Sequence, residues 1–175
     1  MARFRESLAL ALVATFGCEV ADFDVERGGL ATIPRDRMND EIEMMRLDDT
    51  EIILAELDDT HDIRPQDVAD AQITSFTLTV VEPAEMDLAF VDRIEIYAEA
   101  PGLAPVRIAH RDSFPAGLQV IELETDDVDL RDYVAAPTVT LVARVDGAAP
   151  PMDVEVDASA NLHLGVTLRG ACNHM

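Results

Sequence analysis

Residues 72–100 decide the fold class: they read QITSFTLTVV, then a short acidic connection, then FVDRIEIYAEA. In both halves apolar side chains alternate with polar ones, and the apolar set is Phe76, Leu78, Val80, Ile94 and Ile96. A period of two predicts strands with one buried and one solvent-facing side. We therefore predict that these two strands pair and that the rest of the chain covers their apolar side.

The same pattern recurs along the rest of the chain. Further strands are predicted at residues 20–26, 106–108, 118–123, 138–145 and 154–168. Glycine and proline separate the runs, and Gly28 and Gly29 are expected to end the first of them. This spacing predicts an all-β fold, an antiparallel β-sandwich, with an up-and-down barrel as the alternative.

Two helical features interrupt the predicted strands. A short helix is expected around Asp132, capped by Asp126 or Asp127 and ended by Pro137. Before it, residues 36–70 hold 13 acidic side chains against 3 arginines. The spacing of Met38, Ile42 and Met45 in this segment predicts a short amphipathic helix, and residues 51–57 fit a helix or a strand equally. We thus expect one domain over residues 18–175, with an acidic helical or irregular insertion at about 36–70.

The net charge restricts the class of partner. The chain has 175 residues and a formal charge of −22, and all 13 of its basic residues are arginine. Such a surface repels phosphate, which argues against binding to nucleic acid or to anionic lipid headgroups. It favours cations or a basic partner instead.

The amino terminus has the features of an export signal. Arg3 and Arg5 precede an almost wholly apolar run at residues 7–16, which is too short to span a bilayer as a helix. Gly17 and Cys18 follow, and this junction resembles the bacterial lipoprotein signal, although Thr15 stands where leucine is usual. The resemblance implies removal of residues 1–17 and acylation of Cys18. Glu19 in the next position resembles family members that are sent on to the outer membrane.

Two alternatives for this region remain open. Export permits a disulfide between Cys18 and Cys172 in a plain secreted protein. The segment also fits an ordinary first helix of the fold.

The residues that carry chemistry form no recognisable catalytic motif. His61, His110, His163 and His174 lack metal-ligand spacing, and no serine lies in a G-x-S-x-G elbow. We therefore predict no catalytic residue. Clustered carboxylates do suit Ca²⁺, which takes hard oxygen ligands. The candidate calcium ligands are Asp48, Asp49, Asp58, Asp59, Asp62, Asp126, Asp127 and Asp129.

Through the segments ITSFTLTV, FVDRIEIYAEAPGLAPVRIAH and LRDYVAAPTVTLVARVDG, the chain resembles predicted bacterial lipoproteins of unassigned function. The resemblance covers roughly residues 68–170. It implies an immunoglobulin-like β-sandwich attached to an outer membrane, and it transfers no active site. The expected function is a non-enzymatic, lipid-anchored binding or structural module of the cell envelope with an unknown protein partner. The alternatives are a calcium-binding adhesion or assembly module, a secreted soluble protein and an uncharacterised hydrolase.

Overall fold

A computed structural model of the chain describes residues 20–35, 41–48 and 67–167. These residues form eight strands and one short helix. The strands are β1 (Val20–Ile33), β2 (Glu41–Asp48), β3 (Val68–Glu82), β4 (Val91–Glu99), β5 (Val106–Arg111), β6 (Val120–Thr125), β7 (Thr138–Gly147) and β8 (Val154–Thr167). The helix, α1, is Arg131–Val134.

All ladders in the described residues are antiparallel, and they join the strands into one sheet of order β1-β8-β3-β6-β5-β4-β7-β2. The all-β prediction is confirmed. The sheet is nearly closed into a barrel, because its end strands β1 and β2 lie against each other. We name its two parts the first half (β1-β8-β3-β6) and the second half (β5-β4-β7-β2).

The halves separate at the β5–β6 junction, where only two residue pairs connect them, Ala109 with Thr125 and His110 with Glu124. Arg111 fills the gap beyond these pairs. Its Nη1 donates to the carbonyl oxygen of Glu122 at 2.6 Å, and its Nε donates to that of Ser113 at 2.7 Å. A side chain thus satisfies a carbonyl group of β6 where the backbone ladder with β5 has ended.

The predicted pairing of the two strands in residues 72–100 is wrong. β3 pairs with β8 and β6, whereas β4 pairs with β7 and β5. Residues 83–90 therefore carry the chain from one half to the other, whereas the sequence predicts a hairpin turn there. Side-chain alternation is the same for any antiparallel partner, so it cannot select one. The inward sides are as predicted: Phe76, Leu78, Ile94 and Ile96 are fully buried in one core.

The amino-terminal strands also differ from the prediction. β1 continues through Gly28 and Gly29 to Ile33, because β8 pairs with every one of its residues. Residues 41–48 form a strand where a helix was expected; Ile42 and Met44 are buried while Glu41 and Glu43 are exposed. Exposure alternates over residues 41–44, and pairing with β7, which continues past a bulge between Glu43 and Met45, decides in favour of the strand.

The helical or irregular insertion is thus wrong for residues 41–48 and for residues 68–70, which begin β3. Met38 and residues 51–57 lie outside the described residues.

Helix α1 is confirmed, but its predicted cap is wrong. Leu130 occupies the N-cap position and makes no side-chain cap. Asp129 acts instead, since its Oδ1 accepts a hydrogen bond from the backbone nitrogen of Arg131 at 3.1 Å.

The strand directions define two ends of the barrel that matter below. At the proximal end β1 begins at Val20, opposite Thr167 at the end of β8. At the distal end β1 finishes at Ile33 opposite Val154, β3 finishes at Glu82 and β6 begins at Val120.

Candidate functional site: the ion-paired face of the second half

A bulge in β5 builds the most connected polar cluster of the described residues. Ile96 pairs with Ala109 and Tyr97 pairs with Arg107, so Ile108 is an extra residue in β5. Ile108 and Ala109 are both buried. The bulge therefore turns Arg107 and His110 to the same outward face, although they are three positions apart in sequence.

Arg107 lies at the centre of this face. Its guanidinium group donates to both carboxylate oxygens of Asp126, at 2.7 and 3.2 Å, and to Oε1 of Glu95 at 3.1 Å. The Glu95 side chain is only 15% exposed and that of Asp126 only 23%. Bidentate pairing of this kind is strong and geometrically specific. The hydrogen bond that Arg107 donates to Asp126 is the main reason that the pKa of Arg107 lies above its ordinary value.

Glu95 collects donors from three side chains. Besides Arg107, Nη2 of Arg93 donates to Oε1 at 3.2 Å, and the Tyr97 hydroxyl donates to Oε2 at 3.3 Å. Burial of the carboxyl opposes ionisation, but the hydrogen bond from Arg107 and the charge of Arg93 outweigh it, with a further contribution from Tyr97. The pKa of Glu95 is therefore lowered. This carboxylate stays ionised at neutral pH.

Arg144 extends the cluster across β7 to β2. Its guanidinium carbon lies 4.2 Å from the centroid of the Tyr97 ring, which is cation–π geometry. Its Nε and Nη2 each lie 3.0 Å from Oε1 of Glu41. We name the whole set the ionic ladder, and its members are Glu41, Arg144, Tyr97, Glu95, Arg93, Arg107 and Asp126.

His110 adjoins the ladder at its β6 end. Its Nδ1 is buried, lies 3.5 Å from Oδ1 of Asp126 and has no hydrogen-bond partner among the described residues. Its Nε2 lies 3.8 Å from Oε2 of Glu124. Both contacts are ion pairs only when the ring is protonated.

A second titratable cluster lies on the outer face of the first half. Nδ1 of His163 is 3.0 Å from Oδ1 of Asp24, and its Nε2 is 4.0 Å from Oδ1 of Asp22. Asp70 is also close, and its carboxylate lies over Gly165. The hydrogen bond with Asp24 is the main reason that the pKa of His163 is raised, and burial only partly opposes it.

This cluster predicts a pH dependence of stability. A pKa raised above the ordinary value of 6.5 means that the interaction stabilises fully below pH 6.5 and is lost as pH rises through the folded-state pKa. We expect the wild-type chain to exceed His163→Gln in free energy of unfolding at about pH 5.5, by at most about 1 kcal/mol because the pair is exposed. Urea titrations of both chains would measure this. If the difference in free energy of unfolding between wild type and His163→Gln grows towards about pH 8.5, the prediction is contradicted.

Three of the predicted calcium ligands, Asp126, Asp127 and Asp129, follow directly after β6. The carboxylate of each accepts a hydrogen bond from a different side chain. Asp126 is held by Arg107. Asp127 Oδ1 accepts from Nε2 of Gln72 at 3.4 Å, and Asp129 Oδ2 accepts from Nε of Arg131 at 2.7 Å. The side-chain hydrogen bond from Arg131 lowers the pKa of Asp129. In the described part of the chain, no group of three or more His, Cys, Asp or Glu side chains is arranged to hold a metal ion.

Calcium binding stays a prediction. Asp48 ends β2. The other candidates, Asp49, Asp58, Asp59 and Asp62, lie outside the described residues, as do Cys18 and Cys172. Binding to the folded state would raise the melting temperature as Ca²⁺ is added to chelator-treated protein. A flat titration would remove the calcium module from consideration.

Comparisons with known proteins add no identification. No protein family matches this sequence, and no curated protein matches it significantly.

Within residues 20–35, 41–48 and 67–167, no helix has the length and apolar character needed to cross a bilayer.

Sequence reasoning missed the ionic ladder. None of Arg107, Glu95, Arg144 and Glu41 stands out in the sequence, since paired charges are frequent in this chain. The available signal was Ile108-Ala109, two apolar residues in succession within an alternating strand, which indicates a bulge. What the ladder can do chemically follows from its pairing: each of its carboxylates accepts a hydrogen bond from an arginine, which suits the set to fixing neighbouring strands and presenting charge.

Proposed function

We propose that the chain is an exported, non-enzymatic β domain of the bacterial cell envelope, anchored by lipid at Cys18 and acting as a binding or structural module. The observation that carries the proposal is the sequence of residues 1–18, which combines two arginines, an apolar run and the Gly17-Cys18 junction.

The position of β1 supports an anchor at that cysteine. β1 begins at Val20, so Glu19 alone separates the strand from Cys18 in the sequence. One residue of extended chain spans about 3.5 Å. An acylated Cys18 would therefore hold the proximal end of the barrel close to the membrane surface.

The charge arrangement supports a binding or structural role over acid–base catalysis. General acids and bases work best with pKa values near the operating pH. In the ionic ladder, arginine side chains lower the pKa of Glu95, which moves it away from that range. The Tyr97 hydroxyl is engaged with Glu95 as well.

Substitution of Cys18 tests the anchor. We expect Cys18→Ala, expressed in a bacterium, to move the protein from the membrane fraction to the soluble fraction and to abolish labelling by a clickable fatty-acid analogue. The matched control is Cys172→Ala, which removes the other cysteine and should leave both the membrane fraction and the label unchanged.

Two outcomes would overturn the anchor. Cys18→Ala that stays in the membrane fraction would mean that another part of the chain holds it there. A soluble wild-type chain whose mobility on non-reducing gels changes equally in both variants would favour the Cys18–Cys172 disulfide of a secreted protein.

A further inference from the structure

The exposed large apolar side chains of the described residues all lie at the distal end of the barrel. They are Leu30, Val81, Leu118, Val120 and Met152, with exposed fractions between 39% and 63%. Leu30 lies near the end of β1, Val81 near the end of β3 and Val120 at the start of β6. Leu118 and Met152 lie two residues before β6 and β8, respectively. We name this set the apolar tip.

The strand register places Leu30 and Val120 of the tip on the outward face of the first half. Leu30 pairs with Asp157, Asp157 pairs with Thr79, and Thr79 pairs with Val120, so these four residues form one row across β1, β8, β3 and β6. Val81 follows as the extra residue of a bulge between Val80 and Glu82. Val81 lies two positions beyond Thr79, the partner of Val120, so Val81 and Val120 are diagonal to each other on neighbouring strands at the same end.

Hydrogen bonds that join residues 80–89 to residues 117–119 hold this surface in shape. The backbone nitrogen of Val80 donates to the carbonyl oxygen of Gln119 at 2.8 Å. The carboxylate of Asp87 accepts from the backbone nitrogen of Gly117 at 2.7 Å and from that of Ala89 at 3.0 Å. The Gln119 amide donates to the carbonyl oxygen of Ala84. A surface that is ordered before binding loses less entropy when a partner docks.

Most charged side chains within and beside the tip are acidic, although the exposed Arg35 also lies at this end, where its backbone nitrogen donates to Asp153. Glu82 follows Val81 and pairs with Glu155, Asp157 lies between Leu30 and Thr79 in the row, and Glu122 follows Val120 on the same side of β6. Exposed apolar residues rimmed by charge mark an interaction surface, and the sign of the rim selects the partner.

We propose that the apolar tip is a docking surface for a polypeptide segment in which apolar side chains are flanked by arginine or lysine. The apolar residues would supply the buried centre of the contact, and the acidic rim would pair with the basic side chains. A second copy of this chain is disfavoured because its tip carries the same acidic rim. An anionic membrane is disfavoured for the same electrostatic reason. The proposal extends the proposed function by naming a partner class, and it holds whether or not Cys18 is acylated.

Fluorescence anisotropy with the full chain in a mild non-ionic detergent tests the proposal, using three short synthetic peptides as probes. In the first, Arg and Leu alternate; in the second, Ser replaces Leu; in the third, Glu replaces Arg. We expect the Arg–Leu peptide to bind, and the other two to bind at least about tenfold more weakly, because each lacks one of the two required features.

Variants locate the binding. The double variant Val81→Thr with Val120→Thr keeps β-branched residues in both strands. It should lower the affinity for the Arg–Leu peptide about tenfold. The double variant Glu82→Gln with Glu155→Gln should lower the affinity for the Arg–Leu peptide and reduce the salt dependence of binding. The matched charge control is Glu43→Gln with Asp132→Asn, which removes two exposed carboxylates elsewhere and should change the affinity less than about twofold.

Four results would overturn the proposal. Equal binding of the Arg–Ser peptide would make the contact electrostatic only. An unchanged affinity in the valine double variant would place the contact elsewhere. Dimerisation, measured by sedimentation, that the valine substitutions abolish would make a second copy the occupant. If the protein binds phosphatidylglycerol vesicles and the same substitutions abolish that binding, the occupant of the tip is a membrane.

Discussion

Replacement of Gly147 by alanine is expected to lower the free energy of unfolding by about 3 kcal/mol. Gly147 ends β7 opposite Val91 with a φ of +156°, a conformation that side-chain-bearing residues rarely adopt. An added Cβ would clash with the carbonyl oxygen of Phe90 and would lie 2.9 Å from both the nitrogen of Asp92 and Cα of Val91. All three are backbone atoms at the start of β4, so the clash cannot be relieved by a rotamer change. The Phe90 carbonyl also accepts from the nitrogen of Ala148, and that bond would be disturbed.

Urea unfolding followed by circular dichroism would measure the loss, with Gly28→Ala as the matched control. At Gly28 an added Cβ meets only ordinary contacts, the nearest being the carbonyl oxygen of Ala158 at 3.4 Å. We expect that control to change the free energy of unfolding by less than about 0.5 kcal/mol. Equal midpoints for the two variants would show that β4 and β7 can separate at this end without cost.

Removal of the Arg107 charge is expected to cost about 2 kcal/mol. Arg107→Met keeps an apolar stem of similar length and removes every donor, so Glu95 and Asp126 lose the cation that both share. The matched control is Arg93→Met, because Arg93 donates one hydrogen bond to Glu95, whereas Arg107 donates three to Glu95 and Asp126. That control should cost less than about 1 kcal/mol.

The effect of Arg107→Met should depend on pH. The lowered pKa of Glu95 means that its ionisation contributes stability above its ordinary value of 4.5, and this contribution is lost as pH falls through the folded-state pKa. The difference between wild type and Arg107→Met should therefore be largest near neutral pH and narrow in acid. A difference in urea midpoint that is constant from about pH 3 to pH 7 would rule out the carboxylates as its source.

The sequence predicts the individual strands well, because burial on one side imposes a period of two. β7 and β8 are the clearest cases, with Val139, Leu141, Ala143 and Val145 buried in one and Val154 to Leu164 buried at alternate positions in the other. The amino-acid sequence does not predict which strands pair with each other. β3 and β4 are neighbours in sequence and lie in different halves, since alternation is independent of the partner.

The ionic ladder is less predictable than the strands for a related reason. Arg107 lies 12 residues from Glu95 and 19 from Asp126, on three segments that meet only after the β5 bulge has turned Arg107 outward. The apolar tip is also not predictable from the sequence, for a different reason. Val81 and Val120 resemble any other valine of a strand, and their shared exposure follows from a bulge and a loop contact at the distal end. The prediction of calcium ligands rests on charge density, which gives no sign that arginines pair with Asp126 and Asp129.

The pairing of β1 with β8 has a consequence for the order of folding. β1 lies near the beginning of the chain, and its ladder partner in the described residues is the last strand, so Asp24 and His163 meet across 139 residues. Contacts of such separation form slowly, because the entropy of closing a long loop must be overcome first. A nascent chain lacking β8 would leave both β1 and β3 with an unpaired edge, which is the condition that favours intermolecular strand addition. The native sheet is therefore completed only after synthesis has passed Thr167, and deletions within β8 should yield aggregates in place of a smaller folded domain.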